Sequence, residues 1–222
     1  MKWNRIAVSV FFFVSGFNFA AWAARIPALQ KQLGLNDAQL GSLLAVLPTG
    51  LMLAMPLASV VLTKYGSKQV MLISSLCYTC LLCVLGTATH VAEAAVVLFL
   101  FGASRNFFNI SVNTQSIGVQ ALYQKSIVTT FHGIWSLSAL LGAALSFWFT
   151  RMQVSVLHHF IIVAIISIVL IALVYKYTLK EDKKSPTPTK GFAWPDKPLV
   201  KLGMIGFASM VCEGTMSDWC GI

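Results

Sequence analysis

Apolar residues along this chain come in runs of membrane length, separated by short polar breaks. The runs cover Ile6 to Ala24, Leu40 to Leu62, Val70 to Thr89, Ala94 to Val112, Phe131 to Phe149, His158 to Tyr177 and Leu199 to Trp219. A bilayer-crossing helix needs roughly 20 mostly apolar residues, so each run predicts one span. The runs are continuous rather than alternating, and about twice the ~10 residues of a barrel strand, which argues against a β-barrel. Ala21-Trp22-Ala23 has the form of a signal-peptidase site. The apolar core of a secretion signal is only about 7 to 15 residues, however, so the longer first run reads as a retained helix.

The breaks between runs carry their own signals. Asn36 followed three residues later by Gln39 is a capping-box pattern that starts the second helix. The stretch from Lys180 to Pro198 is charged and holds four prolines, the pattern of a linker. The expected organisation is a six-helix domain over residues 1–179, a cytoplasmic linker over 180–198, and the first helix of a truncated second domain over 199–222.

Composition strengthens this reading. The chain has 222 residues, 57% hydrophobic and 10% charged, and its mean hydropathy is +0.78, far from an ordinary soluble domain. The sixteen basic residues then give an orientation. With the N-terminus in the cytoplasm, twelve of them fall on the inner side, three (Arg25, Lys31 and Arg151) outside, and Arg105 within a span. The net charge of +9 is thus a matter of topology and anionic lipid headgroups. No basic residue is interleaved with an aromatic platform, and nucleic acid is not an expected partner.

Polar residues inside the runs mark faces that lipid would penalise. In the first span Ser15, Asn18, Trp22 and Arg25 fall within about 80° of arc. In the fourth, Asn106, Asn109 and Asn113 fall within about 60°, with Gly102, and Arg105 lies beside them. Three carboxamides offer donors and acceptors to a hydroxyl-rich solute, and Arg105 suits a carboxylate or an acidic side chain. The alternative for the asparagines is hydrogen bonding between helices. The fifth span brings His132, Trp135 and Ser136 to one side. His132 is placed to relay protons or to bond a neighbouring backbone. Trp22 and Trp135 offer stacking surfaces or interface anchors. In the seventh, Glu213 shares a face with Gly206, Ser209 and Ser217, and is the candidate for a proton-coupling acid or a partner of Arg105. Asp218, nearer the outer end, reads as a solvated charge. Cys77, Cys80 and Cys83 lie inside the third span and Cys212 and Cys220 in the seventh, where packing explains them better than a metal. No cofactor is expected.

The chain resembles the major facilitator superfamily, and more closely its sugar-permease-like bacterial inner-membrane branch. The resemblance rests on WAARIPALQKQLGLNDAQLGSLL (Trp22 to Leu44), SVVLTKYGSK (Ser59 to Lys68), NTQ (Asn113 to Gln115), FHGIWSLSALLGA (Phe131 to Ala143) and EGTMSDW (Glu213 to Trp219). In the loop after the second span Lys64, Gly66 and Lys68 match the family pattern. Ser59, Thr63 and Ser67 stand where it has a glycine, an acid and a base, so the charge-relay role of that loop is not carried over. The resemblance implies an all-α membrane protein, the six-helix N-terminal half of a 12-helix major facilitator fold plus a seventh span. It implies solute bound near the midplane between two halves, with the C-terminal half needed to complete the cavity. The function expected is transport of a small polar solute, a sugar or related compound, coupled to protons. The alternatives are a drug or metabolite exporter, or a truncated transporter remnant without function. An intramembrane protease is the rival of another class: Gly102-Ala103-Ser104-Arg105 has the G-x-S-x form, with His132 or His158 as base. On a helical wheel Ser104 lies about 160° from Asn106, away from the polar stripe.

Overall fold

The structure, a computed structural model, describes residues 1–180 and 196–219, without the side chains of Met210, Glu213 and residues 217–219. The described residues are helical, with no strand among them. The helices are α1 (Lys2–Ala23), α2 (Ile26–Leu33), α3 (Asp37–Leu44), α4 (Val46–Gly86), α5 (Val91–Gln120), α6 (Val128–Arg151), α7 (Val156–Val174) and α8 (Lys197–Trp219). The chain forms two compact units, Met1–Asp182 and Lys183–Ile222. Of the second, α8 is described by itself. Most of the expected linker lies outside the described residues, as does Cys220.

The capping box at the start of the second span is present. Gln39 N–H donates to Asn36 Oδ1 at 2.9 Å and Asn36 N–H to Gln39 Oε1 at 3.0 Å, opening α3.

The second and third spans, expected as separate helices, are two helices that meet at Gly66, the one non-helical residue inside α4. Gly66 adopts φ 76° and ψ 154°, a region essentially closed to residues with a Cβ. The two arms, 46–65 and 67–86, both pack on the same stretch of α5. A Cβ on Gly102 would collide with the Leu47 carbonyl, and the Tyr78 and Phe101 rings stack with centroids 4.3 Å apart. In a straight helix residues 47 and 78 would lie ~46 Å apart. The chain therefore doubles back at Gly66, and each arm is long enough to cross a bilayer.

Hydrogen bonds sort the connections to two ends of the first unit. At one end Asn4 Nδ2 donates to the Tyr177 carbonyl at 2.8 Å, and Lys68 Nζ to that of Thr178 at 3.4 Å. Gln115, fully buried, donates there to Ser67 Oγ at 2.7 Å and to the Leu179 carbonyl at 3.1 Å, and accepts from Leu179 N–H at 3.0 Å. At the opposite end Gln32 donates to the Ala88 carbonyl at 2.7 Å and Arg25 to that of Val154 at 3.0 Å. This alternation of ends is what six spans require.

The core lies around α1, whose Val8, Phe11, Val14 and Ala21 have no exposed surface. Large apolar side chains such as Met52, Leu140 and Ile165 point outward instead, as lipid demands.

Candidate functional site

On α5, Arg105, Asn109 and Asn113 follow one another at four-residue spacing and share one partly open face. Arg105 lies over the ring of Phe19 on α1, with Cζ 3.8 Å from the centroid. Phe19 in turn faces Trp135 on α6, with centroids 6.4 Å apart and planes 28° off parallel. Three helices thus contribute a guanidinium, a phenyl ring and an indole in sequence. Stacking uses the face of the guanidinium and leaves its edge N–H groups pointing away from the ring. None of them meets an acceptor among the described residues.

Next along α5, Asn113 Nδ2 donates to Asn109 Oδ1 at 2.9 Å and to the Asn109 carbonyl at 2.8 Å. This leaves Asn109 Nδ2 as donor and Asn113 Oδ1 as acceptor, neither bonded among the described residues. In a membrane protein such groups call for water or a polar solute. His132, one turn from Trp135, is exposed and sets its ring edge-on to Phe12, with centroids 5.2 Å apart.

Other polar residues singled out in the sequence turn inward. Asn18 has no exposed surface: its Nδ2 donates to Thr79 Oγ1 at 2.9 Å and its Oδ1 accepts from Ser167 Oγ at 3.1 Å. Its amide ties α1 to α4 and α7, which is the helix-joining alternative rather than the cavity-lining one. Trp22, 1% exposed, sets its ring at an angle to Phe101, with centroids 6.2 Å apart. Asn106, 3% exposed, lies on the closed side of α5, and its Nδ2 has no partner in the first unit, as is true of Tyr78 Oη. The physical reason is that α1 is enclosed by four other helices, so its polar stripe meets protein on every side. Glu213 falls on α8, and its side chain lies outside the described residues.

Arg25 goes furthest from expectation. Only 4% exposed, it donates Nε–H to His159 Nδ1 at 2.9 Å, while Ser146 Oγ stands 3.3 Å from Nε2. Ser146 gives its own proton to the Gly142 carbonyl, so Nε2–H faces its oxygen and His159 is neutral. Burial lowers the Arg25 pKa from its ordinary value. The triplet fastens the α1–α2 junction to α6 and α7 and is structural.

The rival residues are not assembled. Ser104 opens on a cavity of about 300 Å3 with Tyr65, Gln69, Ser74 and Cys77, and no histidine lines it. His158 Nδ1 pairs with Ser155 Oγ at 2.7 Å, at the start of α7. Cys83 Sγ contacts the Phe160 carbonyl at 3.5 Å.

Residues 7–217 match the Major Facilitator Superfamily. The chain belongs to that family. It is 30% identical to an uncharacterized MFS-type transporter of Yersinia pestis, across 99% of this chain and 57% of the relative. It is 27% identical to the uncharacterized transporter y4wD of Sinorhizobium fredii, across 99% and 58%, and 26% identical to the membrane protein MosC of Rhizobium meliloti, across 96% and 52%. Among solved structures it superposes on the nucleoside transporter NupG with a TM-score of 0.67 and 18% identity, covering 94% of this chain and 50% of NupG. At that identity the likeness is one of fold. The chain spans little more than half the length of the curated relatives it matches. As a member of that family it is a multi-pass membrane protein, and the described helices correspond to about half of that fold.

Two contributors escaped sequence reading. Phe19 sits in an apolar run, where nothing separates a platform for Arg105 from lipid-facing bulk. Gln115 carried a signal, a carboxamide inside a span and within the NTQ motif, but its neighbours come from residues 48 and 64 positions away.

Proposed function

We propose that these residues form one wall of a solute pathway, and that the transporter moves a small polar solute, a sugar or related compound, by alternating access coupled to protons. Supporting this are a donor of Asn109 and an acceptor of Asn113 that are unbonded among the described residues, beside a guanidinium that meets no acceptor among them and is linked through Phe19 to Trp135. The asparagines bind hydroxyl groups, Trp135 covers a ring face, and Arg105 holds an anionic group of the solute or an acid of the protein. Residues 1–179 act as one domain, joined through 180–198 to a second whose first helix is α8. That second half is needed for a complete cavity, and Glu213 carries the coupling proton, with His132 a separate candidate for proton relay. The protein resides in a bacterial inner membrane with its N-terminus in the cytoplasm, the side that holds most basic residues.

Vesicle transport by the protein with both halves present tests the reading. Glu213→Gln should retain solute exchange and lose uphill accumulation, because an amide keeps the shape but carries no proton. Accumulation at the parent level in that variant would remove Glu213 from the mechanism.

A further inference from the structure

A second feature lies on a different face of α1. Between α1, α6 and α7 there is a cavity of about 670 Å3 whose lining is polar at one end and apolar along its length. Lys2, Arg5, Ser9 and Tyr123 contribute the polar groups. Ile6, Val10 and Phe13 from α1, Ile134 from α6 and Leu170 from α7 make the apolar walls. At 100° per residue the α1 lining is centred about 90° from the face that carries Phe12 and Phe19, so the groove is separate from the solute site.

Its order along the axis is informative. Both cations stand in the first turn of α1, and the apolar lining runs inward to Phe13, ~16 Å further along the helix. That is about the hydrocarbon depth of one leaflet, half of roughly 30 Å. The first turn is also pinned: Trp3 stacks on Tyr177 with centroids 5.0 Å apart, and Asn4 donates to the Tyr177 carbonyl at 2.8 Å. Neither Lys2 nor Arg5 has an acidic partner among the described residues.

We infer that this groove is a binding site for one anionic phospholipid, with the phosphate held by Lys2 and Arg5 and an acyl chain laid along Ile6, Val10 and Phe13. Charge and length both select this occupant. A free phosphate would leave the apolar walls unfilled, and a zwitterionic lipid would set its own ammonium or choline group against two cations.

The test is native mass spectrometry of the purified 222-residue chain with phosphatidylglycerol or phosphatidylcholine of identical acyl chains. The parent should prefer the anionic lipid by roughly tenfold, and Lys2→Gln with Arg5→Gln should remove that preference. Lys176→Gln, a cation at the same end but outside the groove, should leave it intact. Leu170→Trp should reduce binding of both lipids by filling the apolar wall. Equal affinity of the parent for the two lipids would overturn the inference. So would a preference that survives loss of Lys2 and Arg5, or one that falls equally in Lys176→Gln.

Discussion

The guanidinium of Arg105 rests on the ring of Phe19, 3.8 Å from its centroid, and this contact between α5 and α1 fixes where a positive charge stands inside the bundle. A cation–π contact of this kind contributes about 0.5–2 kcal/mol. Phe19→Leu keeps the apolar volume but removes the π face, so Arg105 should lose its fixed position. Solute affinity should fall by up to roughly 30-fold, and thermal stability in detergent by no more than the contact itself contributes. Unchanged affinity in Phe19→Leu would show that the stack does not position Arg105 for binding.

Asn18 should behave in the opposite way. Its amide joins Thr79 and Ser167 in the buried interior, so Asn18→Leu should lower stability by about 0.6–1.7 kcal/mol, the range for hydrogen bonds between membrane helices. Thermal unfolding of Asn18→Leu beside a Thr79→Val, Ser167→Ala double variant checks this. If the two effects add fully in the combined variant, the three residues do not act as one network.

Gly102 allows α5 to approach the first arm of α4. Gly102→Ala would drive a Cβ into the Leu47 carbonyl, a backbone atom that cannot swing aside, and overpacking of this kind costs about 1–3 kcal/mol. Gly133, where a Cβ would meet nothing within 4 Å, serves as the control. The expected result is a marked loss of folded yield and melting temperature for Gly102→Ala and little change for Gly133→Ala.

Topology gives a prediction independent of the site. A cysteine at Lys31 should react with an impermeant reagent from outside the cell, and one at Lys176 only after the cytoplasmic side is opened. Labelling of both from the same side would contradict the two-ended arrangement of connections; exchanged sides would invert the orientation.

Much of the fold could be read from the sequence because run length in lipid is a strong constraint: seven runs of spanning length correspond to α1, the α3–α4 run on both sides of Gly66, α5, α6, α7 and α8. The site was legible only in part. Periodicity places Asn106, Asn109 and Asn113 within one arc, but not which edge of that arc a neighbouring helix covers, and Asn106 lies under one. Asn18 and Trp22 looked like cavity residues because a polar stripe in a span needs some partner. That the partners are Thr79, Ser167 and Phe101 depends on contacts between distant segments, which no local pattern encodes.

Solute binding on the open face of α5 is tested by equilibrium binding to Asn109→Ala. A panel of neutral sugars, polyols, sugar acids and nucleosides is titrated against the purified protein with both halves present and against this variant, with melting temperature followed in parallel. One class should bind the parent, and Asn109→Ala should weaken it roughly 2- to 100-fold, the effect of losing one or two hydrogen bonds, at unchanged melting temperature. Parent-level binding by Asn109→Ala, or no binding of any class to the parent, would contradict the account.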